Sequence, residues 1–546
     1  MAEFSWAEVG EILGTKVTLL GEDSPGPEKL VLPSGVTVVT DNALPYLVHS
    51  CKAFDLEHLV CLIGSISARQ MARETERRRA PTWRGRPPEP LLRDYQLALV
   101  LKVALADSQR TGSIGTQATG LALTRLCRLA VSSRCGADDG DLQPAEFFTR
   151  MAYQQFWDQA SFNVWPRGLL ILRSMMDLMA EEDRYDIETA FAAMHGLTFT
   201  TFVFLCFALF STATKQGGRR FDARQFTSSP AFAIEEQDAE AFLDLISVSL
   251  DGYRDCANDP ELCEPGYETY NFNPLVRWPA LRHAKGGVVV PIPRLLLDRA
   301  TTGIYYDFFK ELEPEAAGKF GNFWGKSFET YVGHMLRQTR GLPEPMKGED
   351  VVGDGSACDW VLPCGNRWVL IECKTRGLSL RSKTTGTREA IEEDILGRPG
   401  GASLPKGVAQ LVETEAALKR AGVIPSAAEC VAVLVTFDQL YFANDDRFPV
   451  HTLLRLGAGN LTDLPIPYFH VASVAELEDV CRVVETVGCD LGEALSIKAR
   501  NADTRRQDVG LYMNQTYRPP AKPISLHSEF LRRGMEEILA QFRRSA

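Results

Sequence analysis

The sequence predicts an α/β C-terminal half, a mixed central sheet flanked by helices, preceded by a large, mainly α-helical N-terminal region with a small β element. Three observations predict it. Apolar residues recur at helical spacing over most of residues 44–250, as in Leu91–Ala104 and Gly168–Met179. Two apolar runs, Ala357–Leu362 and Arg367–Lys374, flank the turn signal Pro363-Cys364-Gly365-Asn366 and read as a β-hairpin. Glu429–Phe437 is almost wholly apolar, as a strand buried on both faces must be.

In chain order, residues 16–40 hold three short β-like runs broken by Pro/Gly turns, so 1–43 is expected to be a small β-rich element. Residues 44–289 form a mainly helical domain with no repeat at a fixed period. Within it, Leu197–Thr214 runs 18 residues without a charge, at the lower limit for crossing a bilayer. Six of those residues are Ser or Thr, which favours the buried helix of a large α-domain. Residues 251–285 are rich in Pro, Asn and Asp and contain a connector. Gly286–Leu297 reads as a strand followed, past the prolines, by a helix, and the domain limit is set near 290. The second domain, 290–490, takes in the hairpin, Glu429–Phe437 and a further strand between Pro465 and Val471. Residues 491–546 are a polar, Arg-dotted extension with a terminal helix from Ser525.

At 546 residues the chain exceeds one compact core, and 45% hydrophobic with 24% charged residues is an ordinary globular composition. A net charge of −12 excludes a chain that coats nucleic acid along its whole surface, while leaving room for a local basic groove. Thirteen cysteines without a CxxC pair, several inside apolar runs (Cys61, Cys206, Cys373, Cys430), are the usage of a reduced, cytoplasmic protein. Met1–Trp6 has neither the basic flank nor the apolar core of a signal peptide. The histidines are dispersed, and no GxxxxGK[ST] phosphate loop is present.

The hairpin carries the chemistry. Side chains alternate along a strand, so Glu372 and Lys374 share a face with Trp368 and Leu370. Closing the hairpin with Leu362 facing Arg367 puts Asp359 opposite Leu370, as the diagonal neighbour of Glu372 at roughly 7–8 Å. Two acids and a lysine on a mostly apolar hairpin are costly unless a cation lies between the acids. The alternative is a buried salt bridge from Lys374 to Asp359 or Glu372.

These residues resemble the PD-(D/E)xK nuclease superfamily, with Asp359 as the first acid and Glu372-Cys373-Lys374 as the (D/E)xK element. Phe320–Leu336 resembles the opening helix of that core, with Glu329 at the border of the stripe Trp324, Phe328, Val332 and Met335. Gly407–Leu418 resembles the helix after the active strand, with Gln410 where many members carry glutamine. The resemblance covers about residues 315–440, and departs from the pattern in having no proline beside Asp359. It implies a Mg²⁺-dependent nuclease, most readily of DNA, with Mn²⁺ able to substitute and RNA left open as a substrate. Asp359, Glu372, the Cys373 carbonyl and Glu329 are the implied metal ligands. Lys374 and Gln410 join Asp359, Glu372 and Glu329 in the implied catalytic set. An effector of prokaryotic anti-phage defence is the setting expected by analogy, with the helical region serving a second copy or a partner protein and no membrane involved. The competing expectation is a catalytically silent nucleic-acid-binding or scaffold subunit that keeps the fold.

Two basic clusters are candidate phosphate contacts. Arg376, Arg381, Lys383 and Arg388 follow the active strand with no acid until Glu389. Arg77–Arg86 gathers five arginines and Trp83 in a Pro-flanked loop. The acidic run Glu389–Asp394 reads as an exposed helix.

Overall fold

The computed structural model describes residues 54–79, 92–107, 144–155, 170–228, 233–260, 270–353, 357–397, 404–457 and 469–520, with short pieces outside these ranges. Contacts group the chain into two compact units: Met1–Gln159 with Ile187–Tyr306 and Ile538–Ala546, and Ala160–Asp186 with Asp307–Glu537. This differs from the consecutive domains expected with a limit near 290. The segment 160–186, placed by its helical period in the N-terminal domain, packs instead with residues more than a hundred positions downstream. The helix expected from Ser525 lies mostly outside the described residues.

The first unit is mainly helical. Its β elements are small: β1 (Lys29–Val31) pairs antiparallel with β2 (Thr37–Val39). A mixed four-stranded sheet has the order β3 (Arg220–Phe221), β6 (Val288–Val289), β5 (Ala280–Arg282), β4 (Ser247–Val248). Helix α1 (Leu56–Arg79) extends through Arg77–Arg79, so the expected arginine loop begins inside a helix, and its remainder lies outside the described residues. Helix α2 (Phe199–Lys215) accounts for the uncharged run. Thr198 caps it, its hydroxyl accepting the Thr201 amide at 3.2 Å, and every residue from Phe199 to Cys206 is buried. The hydroxyls fold back on their own surroundings: Thr212 donates to the Ala208 carbonyl at 2.8 Å, Thr214 to that of Phe210 at 2.7 Å, and Thr200 to Glu188. Among the described residues no single helix is long and apolar enough to cross a membrane. After α2 the chain turns closely against α1. A Cβ on Gly218, at φ +77°, would lie 2.1 Å from the Cys61 carbonyl, and one on Gly217 would lie 2.4 Å from that of Gly64. Only glycine permits that approach.

The second unit is built on a mixed five-stranded sheet in the order β11 (Phe469–Ser473), β10 (Glu429–Thr436), β9 (Arg367–Lys374), β8 (Trp360–Cys364), β7 (Met346–Lys347). Strands β9, β10 and β11 are parallel; β8 and β7 are antiparallel additions. The apolar run Glu429–Phe437 thus supplies an interior strand, β10, paired on both edges, as its composition requires. Helix α3 (Pro314–Gln338) packs on one face through Trp324 and Phe328, whose rings meet Phe437 edge-on at 4.9 and 5.8 Å. Helix α4 (Leu404–Arg420) packs on the other, where Gly407 approaches Leu434, Glu372 and Lys374. Residues 170–186 cover α3: Ile171 and Leu172 are fully buried, Ser327 donates to the Ile171 carbonyl, and Tyr185 stacks on Phe323 at 5.8 Å. Their anchor is Arg167, whose guanidinium grips both oxygens of Glu478 at 2.6 and 2.7 Å, on helix α5 (Val474–Val487). Tyr331 of α3 donates to the same carboxylate at 2.8 Å.

Gly333 sets the distance between α3 and the sheet. A Cβ there would stand 2.0 Å from the Trp360 ring, whose indole N–H donates to the Glu329 carbonyl at 3.2 Å. Gly333→Ala should therefore cost about 1–3 kcal/mol by forcing the helix outward. Chemical denaturation of the two proteins measures it, and an unchanged midpoint would show that the indole swings aside freely.

Candidate active site

Strand β9 ends in Glu372-Cys373-Lys374 at the carboxyl edge of the parallel strands, where open α/β sheets present their binding sites. The hairpin closes through Gly365-Asn366, with Cys364 paired to Arg367 and Trp360 to Ile371. The expected pairing of Leu362 with Arg367 is therefore displaced by two residues. The reason lies in the turn: Gly365 takes φ +59°, which makes a tight two-residue turn possible one position later than expected. A two-residue slip preserves the faces. Extending the observed register one step past Trp360 brings Asp359 directly opposite Glu372 rather than diagonal to it.

Asp359 lies just beyond the ladder and continues it with its side chain. Its Oδ2 accepts the Cys373 amide at 2.7 Å, and its carbonyl accepts the Gly348 amide at 3.2 Å. The N–H and C=O of one strand residue point the same way. Lys374 directs its carbonyl to Phe437 on the β10 side, so Cys373 directs its carbonyl to the Asp359 side. Two carboxylates and one carbonyl thus converge on this end of the hairpin.

Glu372 is 1% exposed. Its Oε1 accepts the Lys374 ammonium at 2.5 Å, while its buried Oε2 has no hydrogen-bond partner. Burial, then the charge of Asp359, pushes the Glu372 carboxyl up to about 8, with Lys374 acting in the opposite direction. Burial and the charge of Glu329 push Asp359 up to about 6, against the Cys373 hydrogen bond. Lys374 also donates to Gln410 Oε1 at 2.9 Å, so the glutamine singled out in the sequence is brought to the lysine.

Helix α4 supplies more than Gln410. Gly407, one turn earlier, leaves room for the acid and the lysine: its Cβ would lie 3.0 Å from Lys374 Cε and 3.2 Å from Glu372 Cγ. Thr414, one turn later, accepts the Cys358 amide at 2.7 Å. Neither was singled out in the sequence. Their signal was the i, i+3, i+7 spacing that puts Gly407, Gln410 and Thr414 on one helix face.

Glu329 is near enough to act on Asp359 electrostatically, but its carboxylate pairs with Lys326 at 3.0 Å and Lys347 at 3.9 Å. Among the described residues no three His, Cys, Asp or Glu side chains are grouped closely enough to hold an ion alone. Glu329 is therefore not gathered with Asp359 and Glu372 as a third side-chain ligand. Three of the downstream basic residues, Arg381, Lys383 and Arg388, have acidic neighbours that the local sequence did not reveal. Lys383 pairs with Asp438, Arg381 lies 3.7 Å from Glu393, and Arg388 lies 3.9 Å from Glu392. The acidic run forms the helix Arg388–Leu396, where Asp394 receives the Ser379 amide at 2.6 Å and holds the start of the Leu380–Thr385 helix.

Raised carboxyl values fix the direction of the pH dependence. The folded chain keeps protons that the unfolded chain loses near 3.8 and 4.5, so stability is lost as pH climbs to about 6 and 8. Asp359→Asn keeps an acceptor for the Cys373 amide and removes one of the two charges. In chelator its Tm should exceed wild type by about 2–4 °C at pH 8, with the gap narrowing toward pH 5. Calorimetric scans across that range would show parallel curves if the two acids do not interact.

No family model, no curated protein and no solved structure matches this chain.

Proposed function

We propose that the chain is a divalent-metal-dependent nuclease that hydrolyses phosphodiester bonds, with DNA as substrate and Asp359, Glu372 and Lys374 at its centre. The observation that supports this most is the buried Glu372 Oε2, without a hydrogen-bond partner, in a carboxylate that the charge of a second acid, Asp359, acts on. A carboxylate oxygen in that position costs free energy that a cation would offset. A salt bridge serving stability alone needs one acid for Lys374; the second acid has no place in it.

Asp359 and Glu372 would hold the ion with the Cys373 carbonyl, an all-oxygen set suited to Mg²⁺ with several retained waters, and to Mn²⁺. Bound there, the ion neutralises phosphate charge and acidifies a water. Lys374 stands at the rim of this site, 23% exposed along its side chain, its ammonium shared by Glu372 and Gln410. From that position it can orient the attacking water and stabilise charge on the phosphate oxygens. Gln410 holds it there as a neutral partner without competing for its charge. A role in anti-phage defence extends this reading by analogy alone.

The double engagement of Lys374 favours a second reading, a catalytically silent member of the same fold. Supercoiled plasmid incubated with the protein and Mg²⁺, then with chelator, separates the two. Under the nuclease reading, Asp359→Ala and Glu372→Ala fall to background, and Lys374→Ala retains Mn²⁺ binding while losing about 100-fold or more in rate. Cleavage by either acid variant at the wild-type rate overturns the assignment.

Substrate contact by the basic residues is narrowed by their partners. Arg381 is more exposed than Lys383 or Arg388, its side chain 64% exposed, so Arg381→Ala should flatten the slope of log K against log salt by up to about one unit. Lys383→Ala should instead act on folding, because its partner Asp438 packs against Gly377 beside the active strand. Salt titration of DNA binding checks both.

A further inference from the structure

We infer that Thr414 is a positioning residue for the acid pair, holding Asp359 in place through the peptide that precedes it. The inference rests on the nuclease reading of the site and deepens it.

Thr414 is 1% exposed, and its hydroxyl is used in both senses. It donates to the Gln410 carbonyl at 2.7 Å and accepts the Cys358 amide at 2.7 Å. Asp359 is the first residue outside the β8–β9 ladder, so its backbone is not fixed by strand pairing with β9. What fixes it is a short set of contacts on either side: the Gly348 amide on its own carbonyl, and the Thr414 hydroxyl on the Cys358 amide. The same helix turn holds Gln410, whose side chain receives Lys374. Thr414 therefore ties the first acid to the helix that orients the lysine, and it sets the separation between Asp359 and Glu372. Groups that share an ion must be placed to within a fraction of an ångström, which demands support from residues that do not touch it. Gly348 marks how tightly this turn is packed, since a Cβ there would lie 1.9 Å from the Cys358 carbonyl.

Mn²⁺ titration calorimetry and plasmid cleavage on the full chain test this, with wild type, Thr414→Val and Thr414→Ser. Valine keeps the shape and removes the hydroxyl; serine keeps the hydroxyl. Thr414→Val should bind Mn²⁺ about tenfold more weakly and recover its cleavage rate in excess Mn²⁺, with Thr414→Ser restoring wild-type affinity. A purely structural threonine would lower Tm without this rescue by metal. Thr414→Ala is read in the same way if the valine variant does not fold. Wild-type Mn²⁺ affinity in Thr414→Val, or a serine variant as impaired as valine, overturns the inference and leaves the nuclease reading standing. Failure of wild type itself to bind Mn²⁺ and cut DNA overturns both.

Discussion

A carboxylate with 1% exposure sits at the end of the active strand, and the surrounding architecture answers its presence. An ionised Glu372 in an apolar interior is unfavourable by several kcal/mol unless its oxygens are met. Lys374 meets one of them from two residues along the same strand. Gln410 steadies the lysine, and Gly407 gives up its side chain so that helix α4 can come close enough for that contact. Replace the charge by a neutral group and none of these features would be required. The other oxygen is left without a hydrogen-bond partner, in reach of the charge of Asp359.

Asp359 depends on a different kind of support. It has left the ladder, and its carboxylate accepts the Cys373 amide in place of a backbone carbonyl. The sheet thus ends in a side chain rather than in a backbone. Helices α3 and α4, on opposite faces of the sheet, serve different ends. Helix α4 touches both acid strands and the lysine, whereas α3 presents Glu329 from the far face, already paired with Lys326.

Much of this was legible in the residues because strand chemistry is local. Alternation placed Glu372 and Lys374 on one face, and the apolar run Glu429–Phe437 marked an interior strand without knowledge of its neighbours. The hairpin register was misplaced by two residues, since Pro363 and Gly365 both signal turns and only the glycine's φ +59° decides between them. That error left every face assignment intact, as a shift of two must. The partners of Arg381 and Lys383 were not legible, because Glu393 and Asp438 arrive from 12 and 55 residues downstream through the fold. The same holds for residues 160–186, whose helical period says that they pack and cannot say against what.

That segment has a consequence for biogenesis. Arg167 meets Glu478 across 311 residues, and Ile171 meets Ser327 across 156. Translation proceeds from the N-terminus, so the ribosome delivers the cover long before the surface that it covers. Ile171, Leu172 and Met175, all fully buried in the finished protein, must wait in the nascent chain without their partners. The N-terminal unit meanwhile continues on both sides of that waiting stretch. The second unit is therefore completed only after Glu478 has been made, and until then the strap lacks its anchor. The strap can lie on α3 as soon as that helix is made, but its Arg167 anchor waits for Glu478, so the cover locks only after the strands bearing Asp359, Glu372 and Lys374 have been added.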